Sequence, residues 1–462
     1  MKKLSFFLLM FSVASLSGCG SSGPVDVPYS VKLEIWGTVD DSDAYDAAIR
    51  QYQSINHHVK DITYRKLSAE TYEEDLLRAF AEGNGPDIFY IRNSWLPDFA
   101  SLIVPAPAYE TNEGEYTAAF TDAVAHDFIS NGQIYGVPLT TDSLALYYNR
   151  DIFNAAGITK PPTTWNEVGS LLNRFNQVDK FGTIIQSGIA MGTSANINRS
   201  TDIFTVLALQ AGATVSGSRK PLQDTLNLRD TPAQKALLFY SQFAKASSPY
   251  YSWNSRLHYS TDAFSEGTLA MMVNYSWKVG EIQRKNAKLN FGIAPLPQSA
   301  SGSPVNLSNY WGLVVAKNKT FALAVGEKAT VPLDRYNVLR THESWEFLHY
   351  LAFPHGSGTM TLRNPLTKFF APMNIKDDPT KTYLAKTYQP AARRDLIELQ
   401  KSDLYLGAFA YGNLIAKSWR SGKPEQVEPV IAQMIDDVNL GKVEPEMALL
   451  VASSAVGNIV GK

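Results

Sequence analysis

The sequence predicts an α/β protein of two lobes, and three observations carry that prediction. Strand-like and helix-like segments alternate from residue 31 onward, the order expected of parallel sheets covered by helices. The alternation occurs twice in series. The length, 462 residues, exceeds the roughly 250–300 residues at which a single hydrophobic core stops growing.

The first unit opens with VKLEIW (31–36), which alternates as a strand does and is ended by Gly37. DDSDAYDAAIRQYQ (40–53) follows, with acidic residues in its first turn and Tyr45, Ala48, Ile49 and Tyr52 at helical spacing. DITYRKL (61–67) is a second strand. Thr71 and Glu74 stand at capping-box spacing before a helix whose face is Tyr72, Leu76, Ala79 and Phe80. Gly83 and Gly85-Pro86 stop it, and DIFYI (87–91) is a short apolar strand suited to burial on both faces.

The second unit repeats the grammar. LALYY (144–148) is a strand and NRDIFNAAG (149–157) a short helix closed by Gly157. After Pro161-Pro162, Thr164 and Glu167 repeat the capping-box spacing ahead of WNEVGSLLNRF. TLAMMV (268–273) is a strand, with a helix beginning near Trp277. The last third is more helical: SWEFLHYLA (344–352), DLYLGAFAYGNLIAKSW (403–419) and VEPVIAQMIDDVNLG (427–441) carry apolar residues at 3–4 spacing.

Ahead of both units stands a leader. Lys2-Lys3 precede an uncharged run, LSFFLLMFSVASL (4–16), shorter than the roughly 20 residues that span a bilayer. It ends Leu16-Ser17-Gly18-Cys19, which resembles a bacterial lipobox. Cys19 is the only cysteine, so no disulfide partner exists within the chain. Residues 1–18 are therefore expected to be a signal peptide, Cys19 a lipidated anchor, and the Gly/Ser/Pro-rich residues 19–30 a flexible tether. Each buried acyl methylene contributes about 0.8 kcal/mol to such attachment.

Composition excludes several classes. Formal net charge is −2 with 45% hydrophobic and 19% charged residues, so there is no basic excess for nucleic acid. No later stretch is apolar enough to span a membrane, and the body is expected to be soluble. DDSDAYD (40–46) lacks the central glycine and terminal glutamate of a calcium loop. HESWE (342–346) lacks the second histidine of a zinc-protease helix. There is no GxSxG, Walker loop or GxGxxG. No cofactor or metal is expected, and no carboxylate pair is singled out for glycoside hydrolysis.

Ligands in parallel sheets sit beyond the carboxyl ends of strands. Here those ends carry Trp36-Gly37-Thr38, Arg92-Asn93-Ser94-Trp95 and Asn274-Tyr275-Ser276-Trp277. Each holds a tryptophan and two pair it with an asparagine, while Trp311 stands at the start of another strand. Indole faces stack on the C–H side of a pyranose and amides take its hydroxyls. Trp36, Asn93, Trp95, Asn274, Trp277 and Trp311 are thus candidate ligand contacts, and a cleft with few charges argues against phosphate, amino-acid or metal cargo. Trp165 and Trp345 are expected in the core.

GPDIFYIRNSW (85–95), GQIYGVPLTTDSLALYYNRDIFNAAGITKPPTTWNEV (132–168), AFSEGTLAMMVNYSW (263–277), NFGIAPLP (290–297) and YWGLVVAKN (310–318) occur in an order that resembles the family 1 extracellular solute-binding proteins, the maltose-binding-like receptors of ABC importers. The similarity runs from about Val31 to the C-terminus. It implies a two-lobed periplasmic-binding-protein-like fold of type II, each lobe a central sheet flanked by helices, with the ligand cleft between them. It places the N-terminal lobe at 31–140 and 299–375, the C-terminal lobe at 141–298 and 376–462, and crossings near VPLTTD (137–142) and APLPQ (294–298). The segment 319–343 is longer than the family's usual link. The resemblance adds Asp40 and Asp41, in the loop after the first strand, as ligand contacts, and Asp142, in a crossing, as an acceptor for two sugar hydroxyls. It implies a monomeric, non-enzymatic receptor on the outer face of a membrane, delivering a mono- or oligosaccharide to permease subunits; peptides and polyols stay open as cargo. A surface carbohydrate-active hydrolase and a non-transport surface lipoprotein are the rival readings.

Overall fold

In the computed structural model the two alternating units build two five-stranded sheets. The structure describes residues 29–213, 231–300, 302–317, 333–356, 358–367, 369–419 and 423–460. The leader, Cys19, most of the tether and residues 319–332 lie outside that range. In the first sheet Val31–Gly37 lies between Val59–Lys66 and Ile88–Arg92, parallel to both, as two right-handed crossovers require. Trp311–Ala316 then runs antiparallel beside Ile88–Arg92, with the two-residue strand Ile103–Val104 at the edge. In the second sheet the order is Phe291–Pro295, Ala145–Asn149, Leu269–Asn274, Ile184–Ile189, Gln177–Val178. Ala145–Asn149 is antiparallel to both neighbours, and Leu269–Asn274 is parallel to Ile184–Ile189.

Each sheet is covered by helices and has its own core, one built around Trp36, Trp95 and Trp345, the other around Trp165 and Trp253. Trp165 and Trp345 are thus core residues as expected. The two capping-box patterns diverge. At Thr164 the box forms: its hydroxyl accepts from the Glu167 N–H and the Glu167 carboxylate accepts from the Thr164 N–H, both at 3.3 Å. At Thr71 it does not, because that hydroxyl donates to Asp75 Oδ2 at 2.7 Å and leaves the backbone uncapped.

The lobe boundaries shift from the sequence-based ones. Leu139 packs in the first core and Leu144 in the second, so the first crossing is residues 140–143. The second falls at Ser308–Tyr310 and not at APLPQ, since Gln298 still pairs with Thr164 of the second lobe. Residues 376–397 belong to the first lobe, because Tyr383, Leu384, Ala391, Ala392, Leu396 and Ile397 pack into its core. The third crossing is the helix Gly407–Leu414, whose Phe409 faces one core and Ala410 the other. The first and third meet at Gly412, where a Cβ would stand 2.3 Å from Ser143 Oγ and 2.6 Å from Asn306 Nδ2, in the strand that leads to the second. DLYLGAFAYGNLIAKSW is accordingly not one helix: Ala416–Lys417 leaves it to pair with Asn306–Leu307. The described part of the long 319–343 segment is helical from Leu333 and continues to Ala352, followed by the hairpin Thr359–Asn364 and Phe369–Asn374. Among the described residues no helix is long and apolar enough to cross a membrane.

Candidate functional site

A cavity of about 650 Å³ lies between the lobes. The first lobe contributes Asp40, Tyr90, Arg92, Trp311, Tyr383 and Tyr388 to its wall, and the crossing and second lobe contribute Asp142, Arg199, Ser276, Trp277 and Arg284. It is the strand-end crevice that parallel topology places there.

Trp277 is 44% exposed. Its ring stacks on buried Tyr275 at 4.5 Å between centroids, with the Arg199 guanidinium 5.5 Å from its face. Half-buried Trp311 stands edge-on to Trp95 at 5.4 Å and Tyr72 at 5.8 Å, with the Arg92 guanidinium 5.3 Å over it. Both indoles are therefore held by rings behind them, as stacking platforms need to be.

Asp142 is buried. Oδ2 accepts from the Ser276 N–H at 2.8 Å and hydroxyl at 2.6 Å, and Oδ1 accepts from the Ser143 N–H at 2.8 Å. Burial pushes its carboxyl up to about 7 against the opposing pull of those donors. Asp40 has four donors within reach: Tyr45 at 2.7 Å, Tyr383 at 2.8 Å, Gln389 at 3.1 Å and Tyr90 at 3.3 Å. The Tyr45 and Tyr90 hydroxyls also bond each other. Burial first, and then the Asp40 charge among others, keeps these phenols protonated well above their usual range. A carboxylate offers about four lone-pair sites; with one phenol proton of Tyr45 and Tyr90 used between them, three donors reach Asp40, which orders the tyrosines and leaves one acceptor site.

Five sequence-predicted contacts stand off the wall of this cavity. Trp36 lies in the first core, its indole N–H bonded to Glu34 at 2.8 Å and its face covered by Arg65 at 4.9 Å. Trp95 is buried with its ring stacked on Phe99 at 5.3 Å. Asn274 donates to Asn198 at 3.0 Å and accepts from the Tyr275 N–H, so it props the loop behind the cavity wall. Asp41 turns to solvent and pairs with Lys66 at 2.8 Å, because its neighbour Asp40 turns inward to the tyrosines. Asn93 donates to Asp127 at 3.1 Å and borders a separate space of about 70 Å³ behind the cleft. Asp142, Trp277 and Trp311 do reach the main cavity.

Sequence reasoning missed Tyr90, Tyr383, Tyr388 and three arginines, so the cleft is not poor in charge. Arg92 pairs across the lobes with Glu425 at 3.2 Å and Arg199 with Asp202 at 3.8 Å. Arg199 and Tyr388 both adopt left-handed backbone, φ +65° and +51°. Such non-glycine strain persists only where surrounding structure holds it, commonly at ligand clamps. No local signal in ANINRS or KTYQP announces it.

Comparison with known proteins sets this cleft in context. The family model described as bacterial extracellular solute-binding protein matches residues 36–332. The maltodextrin-binding protein MdxE of Bacillus subtilis is 24% identical over 313 residues, 65% of this chain and 69% of that one. The maltotriose-binding protein of Pyrococcus abyssi is 23% identical over 270 residues, 58% of this chain. The chain spans about half the length of that protein and of putative binding proteins from Brucella, 54% and 55%. Among solved structures, the cyclic α-maltosyl-1,6-maltose binding protein of Arthrobacter globiformis matches with a TM-score of 0.68 at 18% identity, over 93% of this chain and 99% of that one. The sugar-binding protein MalE of Xanthomonas citri gives 0.68 at 19% identity, over 93% and 98%. At these identities the structural likeness establishes the two-lobed fold. The family match covers more than half of the sequence and spans strands of both sheets, and the chain belongs to the bacterial extracellular solute-binding protein family.

Proposed function

We propose that the chain is the monomeric receptor of an ABC importer, capturing a mono- or oligosaccharide between its lobes and passing it to permease subunits. One observation carries this reading: two half-exposed indoles, Trp277 from one lobe and Trp311 from the other, face a single cavity. The maltodextrin and maltotriose receptors among its relatives support the same cargo class. A receptor is favoured over a hydrolase by the two carboxylates lining the cavity. Asp40 accepts from Tyr45, Tyr383 and Gln389 and Asp142 from Ser276 and Ser143, which gives both carboxylates a positioning role in the wall.

A thermal-shift screen over mono-, di- and maltooligosaccharides is expected to find at least one stabilising sugar, recovered uncleaved. At 100 times its Kd, such a ligand adds about 2.7 kcal/mol. Scattering should show compaction, since a ligand touching both lobes favours the closed form by its extra contacts there. A melting temperature indifferent to every sugar, or hydrolysed products, would overturn the reading.

The anchor is a separate part of the proposal. Cys19→Ser is expected to release the protein from membranes without changing its melting, because the tether precedes the first strand. Mass spectrometry of the membrane-bound wild type should show a diacylated or triacylated N-terminal cysteine; an unmodified thiol removes the claim.

A further inference from the structure

On the first lobe, away from the sugar cleft, lies a buried group of polar side chains that solute capture does not use. His342 and Glu346 stand one turn apart on the helix Leu333–Ala352 and therefore share a face. Glu110 reaches them from the turn before the helix Glu113–Ala119. One ligand atom from each of the three lies within 4.8 Å of the others.

One imidazole and two carboxylates this close can close on a single ion. His342 Nε2 lies 2.6 Å from the Arg363 carbonyl, which makes that nitrogen the donor; Glu346 Oε1 stands 3.6 Å from the same nitrogen, and Glu110 Oε1 stands 3.6 Å from Nδ1. Ligating imidazoles are held in this way, with the other ring N–H on a carbonyl that fixes tautomer and direction. The Arg363 N–H donates to Glu346 Oε1 at 2.6 Å, so the same hairpin residue orients two of the three groups. The Glu110 side chain is only 8% exposed, and among the described residues no hydrogen bond to its carboxylate is seen; His342 is 3.6 Å away, with His349 and Arg363 the nearby favourable charges. Two carboxylates enclosed within 4.8 Å of one another repel, and a divalent cation between them would offset that repulsion. Half-exposed Tyr109 donates its hydroxyl to His342 Nδ1 at 3.2 Å, a bond that an ion entering from solvent would replace.

We propose that Glu110, His342 and Glu346 bind a divalent transition metal, with Zn²⁺ the best match to one imidazole and two carboxylates. The ion would tie the turn at 109–112 to the helix and, through Arg363, to the hairpin. The role is structural, not hydrolytic. Glu343, where a zinc-protease helix carries its general base, turns away to Asn56 at 2.7 Å and to the Tyr29 hydroxyl. The second histidine missing from HESWE is replaced by Glu346 on the helix and Glu110 from elsewhere in the chain.

The test uses the full mature chain, purified without chelator and dialysed. Elemental analysis after Zn²⁺ loading is expected to give one equivalent per chain, with a melting temperature several degrees above that in EDTA. Co²⁺ in its place should give the strong visible absorption of a low-coordinate site. Glu110→Gln and, separately, Glu346→Gln should each abolish that absorption and weaken Zn²⁺ by at least about tenfold. His258→Ala, which removes an exposed histidine paired with Glu266, should change neither. A wild type that holds no stoichiometric metal and melts identically with Zn²⁺ and EDTA overturns the proposal. So does Zn²⁺ binding undiminished in both glutamine variants, which would mean the metal sits elsewhere. Should either variant fail to fold, the wild-type stoichiometry and Co²⁺ spectrum still decide.

Discussion

Arg340→Met is expected to cost the first lobe about 3–5 kcal/mol, the penalty of stranding a buried charge. Arg340 is fully buried. It places Nη1 3.3 Å from Asp87 Oδ1, Nη2 3.2 Å from the Ala316 carbonyl and Nε 3.4 Å from Asn337. Asp87 in turn accepts the Glu34 N–H at 2.7 Å. One guanidinium thus joins the helix Leu333–Ala352 to three strands of the sheet below it. Methionine fills much the same volume, so the loss reads charge and hydrogen bonding more than packing. Urea titration followed by tryptophan fluorescence should show the first-lobe transition moved to lower denaturant. Adding Asp87→Asn should recover part of the loss, since the orphaned charge goes with it. A single variant within about 0.5 kcal/mol of wild type would show that Asp87 reaches water or another partner.

The second expectation compares two tryptophans. Trp165→Ala should destabilise the second lobe by about 3–5 kcal/mol, as large-to-small changes in a packed core do. Its ring is buried and its N–H donates to Gln210 Oε1 at 2.6 Å, a bond that also positions Gln210 for the Pro297 and Val305 carbonyls. Trp277→Ala should leave the apo protein within about 0.5 kcal/mol of wild type, as exposed substitutions do. It should weaken sugar binding by about 1–3 kcal/mol, the scale of a hot-spot aromatic. Melting temperature and calorimetric affinity, measured on both variants, separate the two roles. If Trp277→Ala unfolds the protein, or binds sugar as tightly as wild type, the cleft assignment fails.

Much of the fold was legible because its signals are local. The alternation of VKLEIW, the apolar run of DIFYI and the 3–4 spacing of Tyr72, Leu76 and Ala79 each describe contacts within a few residues, and all became the elements they resemble. The site was legible only in outline. Strand ends located the crevice, but side chains alternate between faces along a strand. Trp36 and Trp95 could therefore share the position of Trp277 without sharing its direction.

By itself, then, the sequence determined the elements, their α/β order, the family and the place where a ligand would sit. Tertiary structure alone decided which polar groups are available there. Asp40 is engaged by tyrosines from residues 45, 90 and 383, and Arg199 and Tyr388 are held in left-handed backbone by their surroundings. Thr71 and Thr164 carry the same capping pattern, yet only one is free of a competing acceptor. Glu110 meets His342 only because a turn and a distant helix pack together. The capping difference is local, since Asp75 is four residues from Thr71; the other three share one reason. Periodicity and propensity act over a few residues, whereas hydrogen-bond saturation, strain and ligand geometry depend on groups that folding brings from far along the chain.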